Sequence, residues 1–210
     1  MQSIQVNYPK GSITSDIIHP SKVICIGRNY VEHIYELANE IPDEMVVFLK
    51  PNSSISQSLI SFHQEPLHYE AELCFVYQNG IFSAVGFGLD LTKRGLQSQL
   101  KSQGLTWERA KAFDGSAVFS EFVKINSIEP TLSVQLKING GIVQQGGIEL
   151  MMYKPDEILK ELQSFMTLQD GDIVMTGTPK GVGLIYQGDT FEGSILIENK
   201  IKVSAQWVAQ

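Results

Sequence analysis

Apolar positions along the chain come in short runs separated by turn residues, a pattern of many strands joined by tight loops. A buried strand is expected over 22–26 and another over 45–49, the second stopped by Pro51. Between them Asn29 can cap a helix from 30 to about 38, which Pro42 prevents from running on. A long strand over 68–77 is followed by Asn79-Gly80, residues that accept the positive φ a tight hairpin turn needs, and 81–89 returns as the partner strand. Thr92 can cap a helix to about 102, with Gly104 just past its end. A second hairpin is expected from 134–138 and 141–145 around Asn139-Gly140. Pro155 suits the first turn of a helix, where Asp156 and Glu157 favour the positive end of its dipole. Ile158, Leu159, Leu162, Phe165 and Met166 form that helix's apolar stripe. The last third reads as strands turning at Asp170-Gly171, Gln187-Gly188 and Asn199-Lys200. Regular strand–helix alternation is missing, so the fold class is a β-rich α+β one and not a doubly wound one. One domain is expected over 1–210, with about 1–20 as a short N-terminal extension.

Composition narrows the partners. The chain has 210 residues, 43% of them hydrophobic and 19% charged, enough to build a core of useful size. A formal charge of -7, with no run of Lys and Arg, argues against a nucleic-acid partner. No apolar run is long enough to span a bilayer, and no basic-then-apolar signal segment opens the chain. Cys25 and Cys74 sit in apolar strand-like runs and are expected as buried free thiols in a cytoplasmic protein.

The candidate chemistry begins in the strand over 68–77. Residues two apart share a face, so His68, Glu70, Glu72 and Cys74 lie on one side, with Tyr69, Ala71, Leu73 and Phe75 on the other. Paired carboxylates suit a solvated strand face, or a cation that cancels their charge. Asp90 ends the returning strand. The hairpin count does not set it opposite Glu70, but an overshooting second strand brings it to the same end of the sheet. Three carboxylates there make a hard-oxygen site suited to Mg²⁺, with positions left for water and substrate. Asp90 could also serve the N-terminus of the helix that follows. His33 and Glu36 lie three apart on the short helix, either as a general base oriented by a carboxylate or as a surface pair. Lys111, between apolar neighbours, could neutralise a substrate carboxylate or a developing oxyanion, or snorkel to the surface. His68 shares the Glu70 face and could support the site from behind. The glycine-rich 177–183 lacks Walker spacing and reads as a backbone-lined loop near a site.

Several segments, in this order and spacing, resemble the fumarylacetoacetate hydrolase family, closest to its small acylpyruvate hydrolase and oxaloacetate decarboxylase-type members. They are Gly27-Arg28-Asn29-Tyr30 with His33 and Glu36, Phe48-Leu49-Lys50-Pro51, His68-Tyr69-Glu70-Ala71-Glu72-Leu73, Leu89-Asp90-Leu91-Thr92-Lys93-Arg94, Lys111-Ala112-Phe113-Asp114 and the stretch from Asp170 to Gly183. The resemblance covers about 22–203. It implies a mixed β-sandwich roll with a few peripheral helices, usually homodimeric. It implies Mg²⁺, or Mn²⁺ or Ca²⁺, on Glu70, Glu72 and Asp90. It also implies a catalytic set of His33, Glu36 and Lys111, with His33 and Glu36 on a lid helix, and Arg28, Gln97 and Thr178 near a small oxo-acid substrate. The activity it implies is hydrolysis of a C–C bond in acylpyruvate-type 2,4-dioxo acids, releasing pyruvate through a metal-chelated enolate. Oxaloacetate decarboxylation, or isomerisation of 2-hydroxyhepta-2,4-diene-1,7-dioate, would use the same half-substrate. A non-catalytic metal-binding scaffold is the alternative of another class. Two departures from the family pattern, Gly95 in place of an acidic residue and Ile148-Glu149 in place of a small hydroxyl residue, bear on which substrate tail is accepted.

Overall fold

A computed structural model of the chain describes residues 1–8 and 15–210. Two β-sheets face each other across the main core. The larger is ten-stranded and mixed. Its centre is the hairpin Ala71–Gln78 with Ile81–Asp90, flanked on one side by Ile173–Met175, Lys22–Gly27 and the edge strand Val46–Pro51. The smaller is a four-stranded antiparallel sheet of Ser133–Ile138, Gly141–Gly147, Thr190–Ile197 and Lys200–Val208. Leu73, Phe75, Phe87 and Leu89 from the first sheet pack against Val134, Leu136, Phe191 and Ile195 from the second. Each such side chain contributes about 1.5–3 kcal/mol on burial. Among the described residues four α-helices lie around the sheets, none long and apolar enough to cross a membrane.

Strand alternation sends the other residues of the central hairpin to the opposite face, where Cys74 and Val76 join Ile4, Val6, Phe119, Phe122, Ile173 and Met175 in a second apolar cluster. Cys25 and Cys74 are both buried and free. The N-terminal extension is part of this layer. Ile4–Asn7 and Ser15–Ile18 pair antiparallel, and the first of them joins the large sheet beside Phe122–Lys124; residues 9–14 of the extension lie outside the described ones. Gly88 is required here, because a Cβ on it would come within 2.5 Å of Cys74 Sγ and 3.0 Å of the Phe119 ring.

Both expected hairpin turns form, with positive φ at Asn79, Gly80, Asn139 and Gly140. Other elements differ in instructive ways. The strand over 68–77 breaks at Glu70: His68–Tyr69 pairs with Gly183–Leu184, whereas Ala71–Gln78 pairs with Ile81–Asp90. Asn29 does not cap the first helix, which spans Val31–Glu36 with Tyr30 at the N-cap. The Asn29 amide instead donates to Tyr153 O and Thr176 O and accepts from Tyr153 N, tying three segments together. The helix stops early, with Ala38 at φ +50°. Thr92 does not cap Arg94–Ser102 either; the Glu65 carboxylate accepts from Gly95 N at 3.0 Å and Leu96 N at 3.3 Å and takes that place. A side chain at Gly95 would meet that carboxylate, which gives a local reason for glycine there. In Pro155–Phe165, Ile158 and Leu162 are buried but Phe165 is exposed, so the stripe is narrower than its sequence suggests. The last hairpin turns at Glu198-Asn199, both at positive φ, one residue before the expected position.

Candidate active site

The site is assembled by a β-bulge. In the central hairpin Phe82 faces Tyr77, but Ala84 faces Val76, so Ser83 is an extra residue. Without it Asp90 would fall opposite Tyr69 and point into the apolar core, because a one-residue slip exchanges the faces of a strand. With it, Asp90 N donates to Glu70 O at 2.9 Å, and Asp90, Glu70 and Glu72 share a face. Each offers a carboxylate oxygen, and these atoms lie within 4.8 Å of one another. All three are buried, Glu70 at 6%, Glu72 at 2% and Asp90 at 1% exposure, which excludes a solvated strand face.

Buried cations stand against them. Lys111, at 2% exposure and so not snorkelling, donates to Glu70 Oε2 at 2.9 Å, Asp90 Oδ2 at 2.7 Å and Thr92 Oγ1 at 2.7 Å. Burial alone would lower its pKa, but Asp90 and Glu70 outweigh that and raise it, which favours the ammonium. Lys50, fully buried, reaches Lys111 O, Ser116 O and Ser116 Oγ, and its Nζ lies 2.8 Å from Asp90 Oδ1. The last contact is one of charge, since Oδ1 has no aligned hydrogen-bond donor. Arg94 pairs with Glu70 Oε1. Burial pushes the Glu70 carboxyl up, but Lys111 and Arg94 win and hold it well below the usual carboxylate range. Glu72 goes the other way. Burial, then Asp90 and Glu70, push it well above that range, against one backbone donor, Gly177 N at 2.7 Å.

This arrangement fits a hard divalent cation. Three carboxylates converge, Asp90 Oδ1 is buried without an aligned donor, and Glu72 bears a charge penalty that a cation would remove.

His33 is buried at 6% exposure while its partner Glu36 is exposed, so the imidazole itself is not a surface group. Its Nδ1 lies 3.0 Å from Glu36 Oε2, while Glu36 Oε1 accepts from Gly181 N at 2.9 Å. The loop over 177–183 thus holds both Glu72 and Glu36 through backbone N–H groups. Gly177 and Gly181 have φ of +98° and +103°, and a Cβ on Gly181 would come within 2.0 Å of Val143 O. Thr178 Oγ1 donates to Ala71 O at 2.9 Å and accepts from Gln144 Nε2 at 2.8 Å.

One cavity of ≈ 30 Å³ is lined by Glu70, Glu72, Asp90, Lys111 and His33 together with Arg28, Gln97 and Thr178. Glu36 stands behind His33, outside the lining. His68 is half-buried and also outside it, its pKa lowered by burial and by Arg94. The same cavity is lined by residues whose roles the sequence reading left unassigned: Arg94, Lys101 and Asn39. One signal for two of them was available, because Arg94, Gln97 and Lys101 are spaced i, i+3, i+7 and share one helical face. Lys50 lay within the Phe48-Leu49-Lys50-Pro51 segment of the family resemblance, with no role assigned to it.

Curled β-sheets carry a buried acidic triad that could hold a metal ion, with an imidazole and an ammonium facing the same cavity. Comparison with known proteins agrees. Residues 22–206 match the family model described as fumarylacetoacetate (FAA) hydrolase, C-terminal. The chain belongs to the fumarylacetoacetate hydrolase family and is an enzyme of it. It is 34% identical over 200 residues to the mitochondrial oxaloacetate tautomerase FAHD1 of Bos taurus, covering 86% of this chain and 90% of that protein. A candidate fumarylacetoacetate isomerase/hydrolase from Oleispira antarctica superposes with TM-score 0.87 at 32% identity over 100% of both chains. Fumarylpyruvate hydrolase from Pseudomonas aeruginosa, solved with Mn²⁺ and pyruvate, superposes with TM-score 0.83 at 26% identity, covering 99% of this chain and 97% of that one. The family and fold expected from the motifs are therefore borne out, and the scaffold alternative is set aside.

Proposed function

We propose that the chain is a Mg²⁺-dependent enzyme of oxaloacetate-type 2-oxo acids that moves a proton between C3 and the 2-oxo oxygen, interconverting keto and enol forms. The observation that carries this reading is the buried His33, fixed by Glu36, in the same cavity as the acidic triad. The naming of the bovine relative supports it. Glu70, Glu72 and Asp90 would hold the divalent cation, which supplies Lewis-acid polarisation of the 2-oxo group. His33, through the ring nitrogen that Glu36 does not engage, takes the C3 proton as general base. Lys111, held charged by its neighbours, stabilises negative charge developing on the 2-oxo oxygen, and the His33 imidazolium then returns the proton to that oxygen to give the enol. Arg28, Gln97 and Thr178 lie along the walls that receive the acid, with the Thr178 hydroxyl acting chiefly to hold the loop. A cavity of ≈ 30 Å³ has room for about two waters. Opening of Val31–Glu36, which carries His33 into the cavity wall, as a lid would admit the substrate.

C–C hydrolysis of acylpyruvates is the second reading, favoured by the fumarylpyruvate hydrolase likeness. There His33 takes a proton from water, the hydroxide adds to the distal carbonyl, and pyruvate leaves as its enol. Decarboxylation of oxaloacetate, and isomerisation of a hydroxydienedioate, would draw on the same groups. Metal-stripped protein given oxaloacetate or acetylpyruvate, with and without Mg²⁺ and beside Glu70→Ala, separates these. Mg²⁺-dependent enol–keto relaxation without pyruvate release supports the tautomerase. Pyruvate from acetylpyruvate moves the assignment to hydrolase, and pyruvate with CO₂ from oxaloacetate moves it to decarboxylase. Under the same proposal the enzyme is a cytoplasmic homodimer of 23.4 kDa subunits.

A further inference from the structure

The cavity contains more positive charge than its carboxylates neutralise. Arg28 follows the strand Lys22–Gly27 with φ at +55°, a conformation a long side chain seldom adopts. Among the described residues its guanidinium meets only neutral oxygens, Asn39 Oδ1 at 3.3 Å and Glu40 O at 3.4 Å, and its buried Nε has no partner there. Lys101 reaches the same Asn39 Oδ1 at 3.5 Å and lies 5.0 Å over the Trp107 ring. Among the described residues neither Arg28 nor Lys101 meets a carboxylate within 4.0 Å. Arg94, on the same helical face as Lys101, also has a buried Nε without a partner. Like charges gathered in a partly buried wall repel one another, and an incoming anion relieves that repulsion. The strain is visible at Lys101, which burial and then Arg28 and Arg94 push down to about 8.

We propose that Arg28 and Lys101, bridged by Asn39, form a second carboxylate subsite in the cavity wall, separate from the acidic triad, that selects 2-oxo diacids over oxo acids with an uncharged tail. The inference rests on the proposed reading of the triad as the place where the 2-oxo acid end is held. Lys101 is the specificity-determining member, because Arg28 already has two oxygen partners whereas Lys101 has one long contact. A bound carboxylate would displace Asn39 from both cations, and gain two charge-assisted contacts in place of amide ones.

The test uses racemic malate and 2-hydroxybutyrate, which share a 2-hydroxy acid end and differ by the distal carboxylate. Their dissociation constants are measured by calorimetry on the Mg²⁺-loaded protein, wild type, Lys101→Met and Lys101→Arg, so that no turnover is needed. The wild type is expected to prefer malate by about tenfold or more, the scale of a charged hydrogen bond. Lys101→Met should collapse that preference and Lys101→Arg should restore most of it, with Mg²⁺ affinity as the control for an intact fold. A wild type without preference for malate, or a Lys101→Met variant that keeps it, would overturn the subsite. So would a variant that weakens both ligands equally, which marks a structural role alone. A preserved, Lys101-dependent preference in a protein that fails to turn over oxaloacetate would sink the tautomerase reading and leave the subsite standing.

Discussion

Lys50→Met gives the sharpest test of how the fold pays for its acidic centre. Methionine nearly keeps the volume and apolar stem of Lys50, so the loss is confined to the ammonium. That group donates to Lys111 O, Ser116 O and Ser116 Oγ and lies 2.8 Å from Asp90 Oδ1. Ser116 Oγ still donates to Lys111 O at 2.8 Å, so one acceptor keeps a donor after the change. Ser116 O still accepts from Leu91 N at 2.9 Å, so neither carbonyl is left without a donor. Asp90 loses one of its two cations while retaining Lys111. Removing a buried charge's partner costs about 3–5 kcal/mol, and the retained Lys111 places this case near the lower end. The total is therefore about 3 kcal/mol, a large share of the roughly 5–15 kcal/mol typical of a domain. Urea unfolding of the metal-free protein reads it directly. Saturating Mg²⁺ should return part of the loss, because a cation on the triad supplies the missing positive charge near Asp90. A loss under about 1 kcal/mol, or a loss that Mg²⁺ does not reduce, would refute the electrostatic reasoning.

Other expectations follow from the same geometry. Glu72→Gln imitates the protonated carboxyl that the metal-free centre favours, so thermal stability without metal should hold or rise while the Mg²⁺-induced shift in Tm disappears; a retained shift would contradict its place among the ligands. Gly88→Ala should destabilise by about 1–3 kcal/mol through overpacking against Cys74 and Phe119, measured by urea midpoint, and a neutral result would show that the two sheet faces tolerate slippage. Lys101 carries its cation below pH 8 and loses it as the pH rises through about 8, pushed down by burial, Arg28, Arg94 and Lys111 against the pull of Glu70. Accordingly kcat/KM for a diacid should fall above pH 8, and the fall should vanish in Lys101→Arg; an unchanged profile in that variant would contradict the assignment.

Much of the site was legible because strand alternation is a strict rule. Glu70 and Glu72 keep the shared face that alternation predicts, although the regular strand begins only at Ala71, and the family motifs pointed to Asp90 as the third carboxylate. Asp90 was not fully legible. Its place depends on Ser83, an extra residue in a hairpin whose turn signal alone gives the wrong partner. The break at Glu70 was equally hidden, since it arises from His68–Tyr69 pairing with a strand more than a hundred residues away. Helix caps failed for a related reason. Asn29 and Thr92 are good caps locally, but their polar groups are taken by Tyr153 and Thr176 in one case and by Lys111 and Asp90 in the other. The cationic wall was written in the spacing of Arg94, Gln97 and Lys101, and became readable only once Arg28 and Asn39 lined the same cavity.

The most direct test of the central claim follows the enol–keto relaxation of oxaloacetate by the loss of the enol's ultraviolet absorbance, with Mg²⁺ present, for wild type and His33→Ala. Relaxation should run well above the buffer rate for the wild type, be absent without Mg²⁺, and be slower by about 10²–10⁴ in His33→Ala with Mg²⁺ affinity intact. A wild type no faster than buffer, or a His33→Ala variant that keeps the full rate, would contradict it.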